Sequence, residues 1–129
     1  MTTTKRTTVN NLGVVMFSVA DQDAAKEFYT GKLGFEVRAD TPFGPNRDMR
    51  WVEVAPPGSV ARLALVPPYG GQPGGGTIGV ETPDVRGEHE RLKELGVRID
   101  TEPAQEHGAP LLFMCQDPDG NHIAVVEAT

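Results

Sequence analysis

Cysteine is almost missing: Cys115 stands alone, which excludes an intramolecular disulfide and suits a reducing, cytoplasmic setting. Placed at the end of an apolar stretch with no cationic neighbour in sequence, it reads as a small buried hydrophobe. No apolar run approaches the roughly 18 residues that a membrane-spanning helix needs. Residues 1–11 are Thr-rich, with Lys5 and Arg6 but no apolar stretch after them, so they read as a disordered tail and not as a secretory signal. Positive charge is in the minority, 12 Lys and Arg against 18 Asp and Glu, and the net −6 argues against nucleic acid or an anionic bilayer as partner. Nucleophile elbows of the Gly-x-Ser-x-Gly type are absent. The glycine run Gly70 to Gly76 places Gly76 where a phosphate loop needs lysine, and a strand pattern follows it where a helix is required.

Turn formers, by contrast, abound. The 15 Gly and 11 Pro make up about a fifth of the chain and exclude a helical bundle, while 38% apolar residues supply material for a core. A single compact domain rich in turns is the consequence.

That domain is one motif written twice. Val14 to Val19 has strand character, Asp21 can cap the helix that follows, and Ala24, Ala25, Phe28 and Tyr29 recur at helical spacing before a strand beginning at Leu33-Gly34-Phe35. The order returns at Thr77 to Thr82, then Pro83-Asp84 and a charged helix ending at Leu95-Gly96; Asp84 lies 63 positions after Asp21. Extended segments follow each helix, Arg50–Val54 and Ala61–Val66 in the first half, Leu111–Cys115 and His122–Val126 in the second. Turns at Pro56-Pro57-Gly58-Ser59 and Asp117-Pro118-Asp119-Gly120 join them. The fold class is therefore α+β, with a βαβββ module at 12–66, a Gly/Pro-rich linker at 67–76 and a second module at 77–129. The linker could reach about 33 Å when extended, which leaves open whether modules pair within one chain or across two.

The doubled module, Val19-Ala20-Asp21 leading into Glu27-Phe28-Tyr29, and Asp117-Pro118-Asp119-Gly120-Asn121 before the last strand resemble the vicinal oxygen chelate superfamily. That superfamily includes glyoxalase I, extradiol dioxygenases and bleomycin resistance proteins, and the resemblance implies cupped mixed sheets of the glyoxalase/bleomycin resistance fold. It covers roughly Leu12 to Ala128.

The resemblance also implies where a divalent metal would sit. Carried over by motif, the four ligand positions are Val14, Ala64, Thr77 and Ala124. Val and Ala have no donor atom and a Thr hydroxyl is a poor one for Zn, Fe or Ni, so neither metal nor other cofactor is expected. The histidines offer no substitute: His89 lacks a second His four positions away, and both it and His107 read as solvated.

Strand alternation supplies the remaining candidates. A regular Pro57-Gly58 hairpin sets Glu53 opposite Arg62 and Trp51 opposite Ala64, so that Trp51, Glu53, Arg62, Ala64 and Val66 share a cleft-facing side with Val14, Met16, Ala124 and Val126. His122 joins them, with Thr77 and Glu81 at hand and Tyr69 at the rim. The expected ligand is a small hydrophobic or aromatic molecule stacking on Trp51, with Arg62, Glu53, Glu81 or His122 holding its polar groups. The resemblance to bleomycin resistance proteins implies a homodimer that sequesters its ligand without catalysis. Its alternative is a glyoxalase-like or dioxygenase-like enzyme, metal-dependent through other ligands or metal-free with Glu53 or His122 as general base.

Overall fold

The computed structural model describes residues 5–128. The element order is β1 (Val14–Ser18), α1 (Gln22–Gly31), β2 (Glu36–Phe43), β3 (Met49–Ala55), β4 (Arg62–Val66), β5 (Thr77–Thr82), α2 (Val85–Glu94), β6 (Arg98–Ile99), β7 (Leu112–Gln116) and β8 (His122–Glu127). Both halves therefore have the expected βαβββ order. Each builds one four-stranded mixed sheet, β1-β4-β3-β2 and β5-β8-β7-β6, with β1 parallel to β4 and β5 parallel to β8.

Local chemistry explains the helices. The Asp21 carboxylate accepts from Ala24 N and the Asp84 carboxylate from Gly87 N, so each aspartate satisfies a backbone donor left free at a helix start. Ala25, Phe28 and Tyr29 on α1, and Val85, His89 and Leu92 on α2, form the buried stripes. The strand expected from Leu33 begins only at Glu36, because Leu33 and Gly34 make the exit from α1; Gly34 has φ +72°, a conformation that costs glycine little.

One register differs from expectation. Glu53 pairs with Ala64, not Arg62, flanked by Val52↔Leu65 and Val54↔Leu63. Pro56 and Pro57 have no N–H to give a ladder, so Pro56 through Ala61 form a wider turn and the pairing slides by two residues. A slide of two preserves the faces. Val52, Val54, Leu63 and Leu65 lie in the core, and Glu53 and Ala64 lie on the opposite side.

The helix-facing sides of both sheets contribute to a single core, in which Phe17, Tyr29 and Leu65 of the first module join Leu92, Phe113 and Ile123 of the second. A buried polar clasp crosses the same boundary. Tyr29 Oη donates to Asp117 Oδ2 at 2.9 Å, Asn121 Nδ2 donates to Asp117 Oδ2 at 3.0 Å and to Ser18 O at 3.1 Å, and Gly76 N donates to Asn121 Oδ1 at 3.0 Å. The modules thus pack back to back within one chain. No helix among the described residues lies on the other face of either sheet, and there Met16 is 57% exposed.

Candidate functional site

Alternation along the strands places the sequence-selected residues on these two open faces. The first sheet presents Val14 and Met16 from β1, Arg62 and Ala64 from β4, and Trp51 and Glu53 from β3. The second presents Thr77, Gly79 and Glu81 from β5, His122, Ala124 and Val126 from β8, and Met114 and Gln116 from β7, opposite the buried Phe113, Cys115, Ile123 and Val125.

On the first face Glu53 is the organising group. It is only 9% exposed. Its Oε2 accepts from Trp51 Nε1 at 2.8 Å, and Arg62 Nε lies 2.8 Å from its Oε1. The arginine contact is close but poorly aligned for a hydrogen bond, so it acts as an ion pair. Burying this carboxylate is tolerable because both oxygens are engaged. The indole is held by its N–H, while Ala64, expected opposite Trp51, pairs with Glu53 and is buried. A glutamate so engaged positions its neighbours.

On the second face a polar row runs across four strands in register: Thr77, His122, Gln116 and Arg98. The next row holds Gly79, Ala124 and Met114, whose side chains leave a shallow floor; a Cβ added to Gly79 would meet nothing within 4 Å. Gln116 Nε2 donates to Asp100 Oδ1 at 2.9 Å and Oδ2 at 3.0 Å, and His122 Nδ1 lies 3.6 Å from Asp100 Oδ2. Asp100, Gln116, Met114 and Gly79 were missed by the sequence reading. The signal was there, since the alternation that selected His122 and Ala124 continues through the neighbouring strands.

The structure does not join all the candidates in one cavity. Within one chain the open faces point away from the shared core, so Trp51 and His122 lie on separate faces of the molecule. An open cavity of about 410 Å³ does lie between the modules, but on the core side, lined by Val15, Leu63, Ile78 and Val80. Of the candidates only Arg62 and Glu81 reach it. Tyr69 is 67% exposed. His107 is exposed as expected, whereas His89, expected to be solvated, is buried against the edge of Phe113, with ring centroids 5.1 Å apart. The i, i+4, i+7 spacing of Val85, His89 and Leu92 on one helix face gives the reason.

The donor chemistry at the four family metal positions does not fit a metal. Val14, Ala64, Thr77 and Ala124 bring no imidazole, thiolate or carboxylate, and among the described residues no three His, Cys, Asp or Glu side chains converge elsewhere. Cys115 is fully buried, and burial first, then Asp100 and Asp117, push its thiol up to about 12, so it supplies no thiolate. No helix among the described residues is long and apolar enough to cross a membrane.

The family model described as Glyoxalase/Bleomycin resistance protein/Dioxygenase superfamily matches residues 11–125. The uncharacterized protein YetH of Bacillus subtilis (strain 168) is 38% identical over 117 residues, 88% of this chain and 94% of YetH. Among solved structures, a member of the same superfamily from Sphaerobacter thermophilus DSM 20745 is similar at TM-score 0.85 and 33% identity, covering 93% of this chain and 98% of that one. TnmS3, an antibiotic binding protein from Streptomyces sp. CB03234, is similar at TM-score 0.85 and 32% identity, covering 96% of this chain and 100% of its own.

Proposed function

The chain belongs to the Glyoxalase/Bleomycin resistance protein/Dioxygenase superfamily, and on that premise we propose that it is a metal-independent binding protein for a bulky aromatic compound, an antibiotic or a metabolite. One observation carries the reading: where the family's ligand positions fall, the open faces offer Val14, Ala64, Thr77 and Ala124, and the first of those faces also carries an indole held by Glu53. An apolar floor next to a fixed aromatic ring suits stacking and leaves no place for Lewis-acid chemistry at those positions. The likeness to the antibiotic binding protein TnmS3 supports it.

The same proposal includes a cytoplasmic homodimer. Each open face is half a cleft, and a second copy related by a two-fold axis would lay its second sheet over the first sheet of its partner twice at once, enclosing two equivalent sites. Trp51, Glu53 and Arg62 would then face His122, Ala124 and Gly79 across each site.

Trp51 is the chain's single tryptophan, so its fluorescence reports this site directly. Titrating protein purified without added metal against a panel of aromatic antibiotics should quench that emission saturably. A bound ligand at 100 times its dissociation constant should add about 2.7 kcal/mol of stability in thermal unfolding. Stoichiometric Zn, Ni, Mn or Fe in the purified protein would overturn the metal-independent reading. A monomer at micromolar concentration by analytical ultracentrifugation would overturn the shared cleft.

A further inference from the structure

Asp100 and Gln116 surround the one open-face histidine in a way that gives its two nitrogens different roles. The Asp100 carboxylate is held in place by Gln116 Nε2, which reaches both oxygens at 2.9 and 3.0 Å. Arg98 Nε stands 3.9 Å from Oδ1, with the arginine side chain 74% exposed. His122 Nδ1 is 3.6 Å from Oδ2, with the imidazole 41% and the carboxylate 26% exposed. That separation exceeds a hydrogen bond, so their pairing requires the imidazole and the carboxylate to draw together when the site is filled.

A carboxylate facing Nδ1 selects the tautomer that carries its proton there, because only that tautomer donates to it. Nε2 is then left with its lone pair on the open face, one row from Gly79 and Ala124. A planar ring laid on the Gly79, Ala124 and Met114 row would turn one edge toward the row that holds His122. We infer that Asp100, anchored by Gln116, is a positioning residue that sets His122 Nε2 as the acceptor for an acidic hydroxyl, phenolic or enolic, carried by the aromatic ligand. The inference rests on the ligand-binding reading above and adds to it the class of polar group recognised. A ligand with only ether or carbonyl oxygens at that edge would meet a lone pair and be disfavoured.

The probes are 2-naphthol and 2-methoxynaphthalene, which share a ring system and differ in the hydroxyl proton. Calorimetric titration of the full chain should show 2-naphthol binding at least tenfold tighter than its methyl ether. His122→Phe should erase that ratio, and Asp100→Ala should cut it several-fold. Long-range proton–nitrogen spectra should show His122 protonated at Nδ1 in the wild type and a shift toward the Nε2-protonated form in Asp100→Ala, a change that a merely structural aspartate would not produce. Equal affinity for the two probes, or an Nε2-protonated His122 in the wild type, would overturn this inference alone. If neither probe binds, the aromatic-binding reading fails and takes this inference with it.

Discussion

Tyr29 on α1 donates its hydroxyl to Asp117 in the β7–β8 turn at 2.9 Å, joining the two modules through a fully buried phenol and a 4% exposed carboxylate. Asp117 also accepts from the backbone N–H groups of Asp119 and Asn121, each at 2.9 Å. Burial first, and then the Asp117 charge, raises the phenol far above its ordinary range, so it is a donor at neutral pH. Removing the hydroxyl in Tyr29→Phe leaves the carboxylate with its turn partners but without the bond that reaches the first module. A hydrogen bond to a charged group contributes about 1.5–3 kcal/mol, and urea unfolding of Tyr29→Phe should show a loss of that size. A change within about 0.5 kcal/mol, the range of ordinary surface substitutions, would refute the clasp.

The linker ends against the same boundary. A Cβ added to Gly76 would stand 2.6 Å from Phe17 Cδ1 and 3.2 Å from Asn121 Oδ1, both within the tightly packed junction. Gly76→Ala should therefore cost about 1–3 kcal/mol through overpacking. Gly79→Ala is the matched control, because its added methyl meets nothing within 4 Å. Thermal unfolding of the pair should separate them clearly; equal midpoints would mean that the linker's close approach to Phe17 is not a constraint on the fold.

Electrostatics on the outer surface of the first module has a predictable pH window. Arg50 bonds Asp40 through Nε and Asp23 through Nη2, both at 2.7 Å, and Lys26 reaches Asp40 Oδ2 at 2.7 Å. The Arg50 hydrogen bond, followed by that of Lys26, holds the Asp40 carboxyl well below its ordinary 3.8, and Arg50 lowers Asp23 as well. A carboxylate depressed in the folded state stabilises above its unfolded pKa and loses that contribution as pH falls through the folded value. The stability difference between wild type and Arg50→Ala should therefore stay level from about pH 7 to 5 and shrink below about pH 4. Being partly exposed, the Arg50–Asp40 pair should contribute about 1 kcal/mol or less, reduced by salt. Urea unfolding across that pH range checks both, and a difference that does not narrow in acid would refute the assignment.

Much of this architecture was written in residue order. Asp21 and Asp84 capped helices where the spacing put them, and period-two alternation assigned Val52, Val54, Leu63 and Leu65 to the core and Glu53 and Ala64 to the open side. What alternation could not give was the partner across a hairpin. Pro56 and Pro57 withhold the donors a tight turn would use, so Glu53 slid from Arg62 to Ala64, and the Glu53–Arg62 contact survives as a diagonal ion pair because a two-residue slide keeps both on one face. His89 was unreadable for another reason: its neighbours Glu88 and Glu90 are charged, and only the helix's four-residue spacing from Val85 shows that it turns inward. The Tyr29–Asp117 clasp spans 88 positions, and no local pattern encodes a meeting of that kind.

The engagement of Glu53 gives the candidate site its own test. Its two oxygens divide between Trp51 Nε1 and Arg62 Nε, each at 2.8 Å, so the charge serves the arginine while either oxygen type can serve the indole. Glu53→Gln keeps a carbonyl acceptor for the indole N–H and loses the ion pair; Glu53→Ala loses both and leaves the Trp51 donor and the Arg62 cation without their partner. The alanine variant should lose about 1–3 kcal/mol, the usual cost of a partly buried polar group left unsatisfied, and its tryptophan emission should move to longer wavelength as the ring loosens and meets water. The glutamine variant should lose less and keep the near-ultraviolet circular dichroism band of a rigid indole. Because Trp51 is the only tryptophan, both spectra report this one side chain. If the alanine variant retains the wild-type band and emission, packing alone orients Trp51, and Glu53 serves Arg62 without setting the stacking surface.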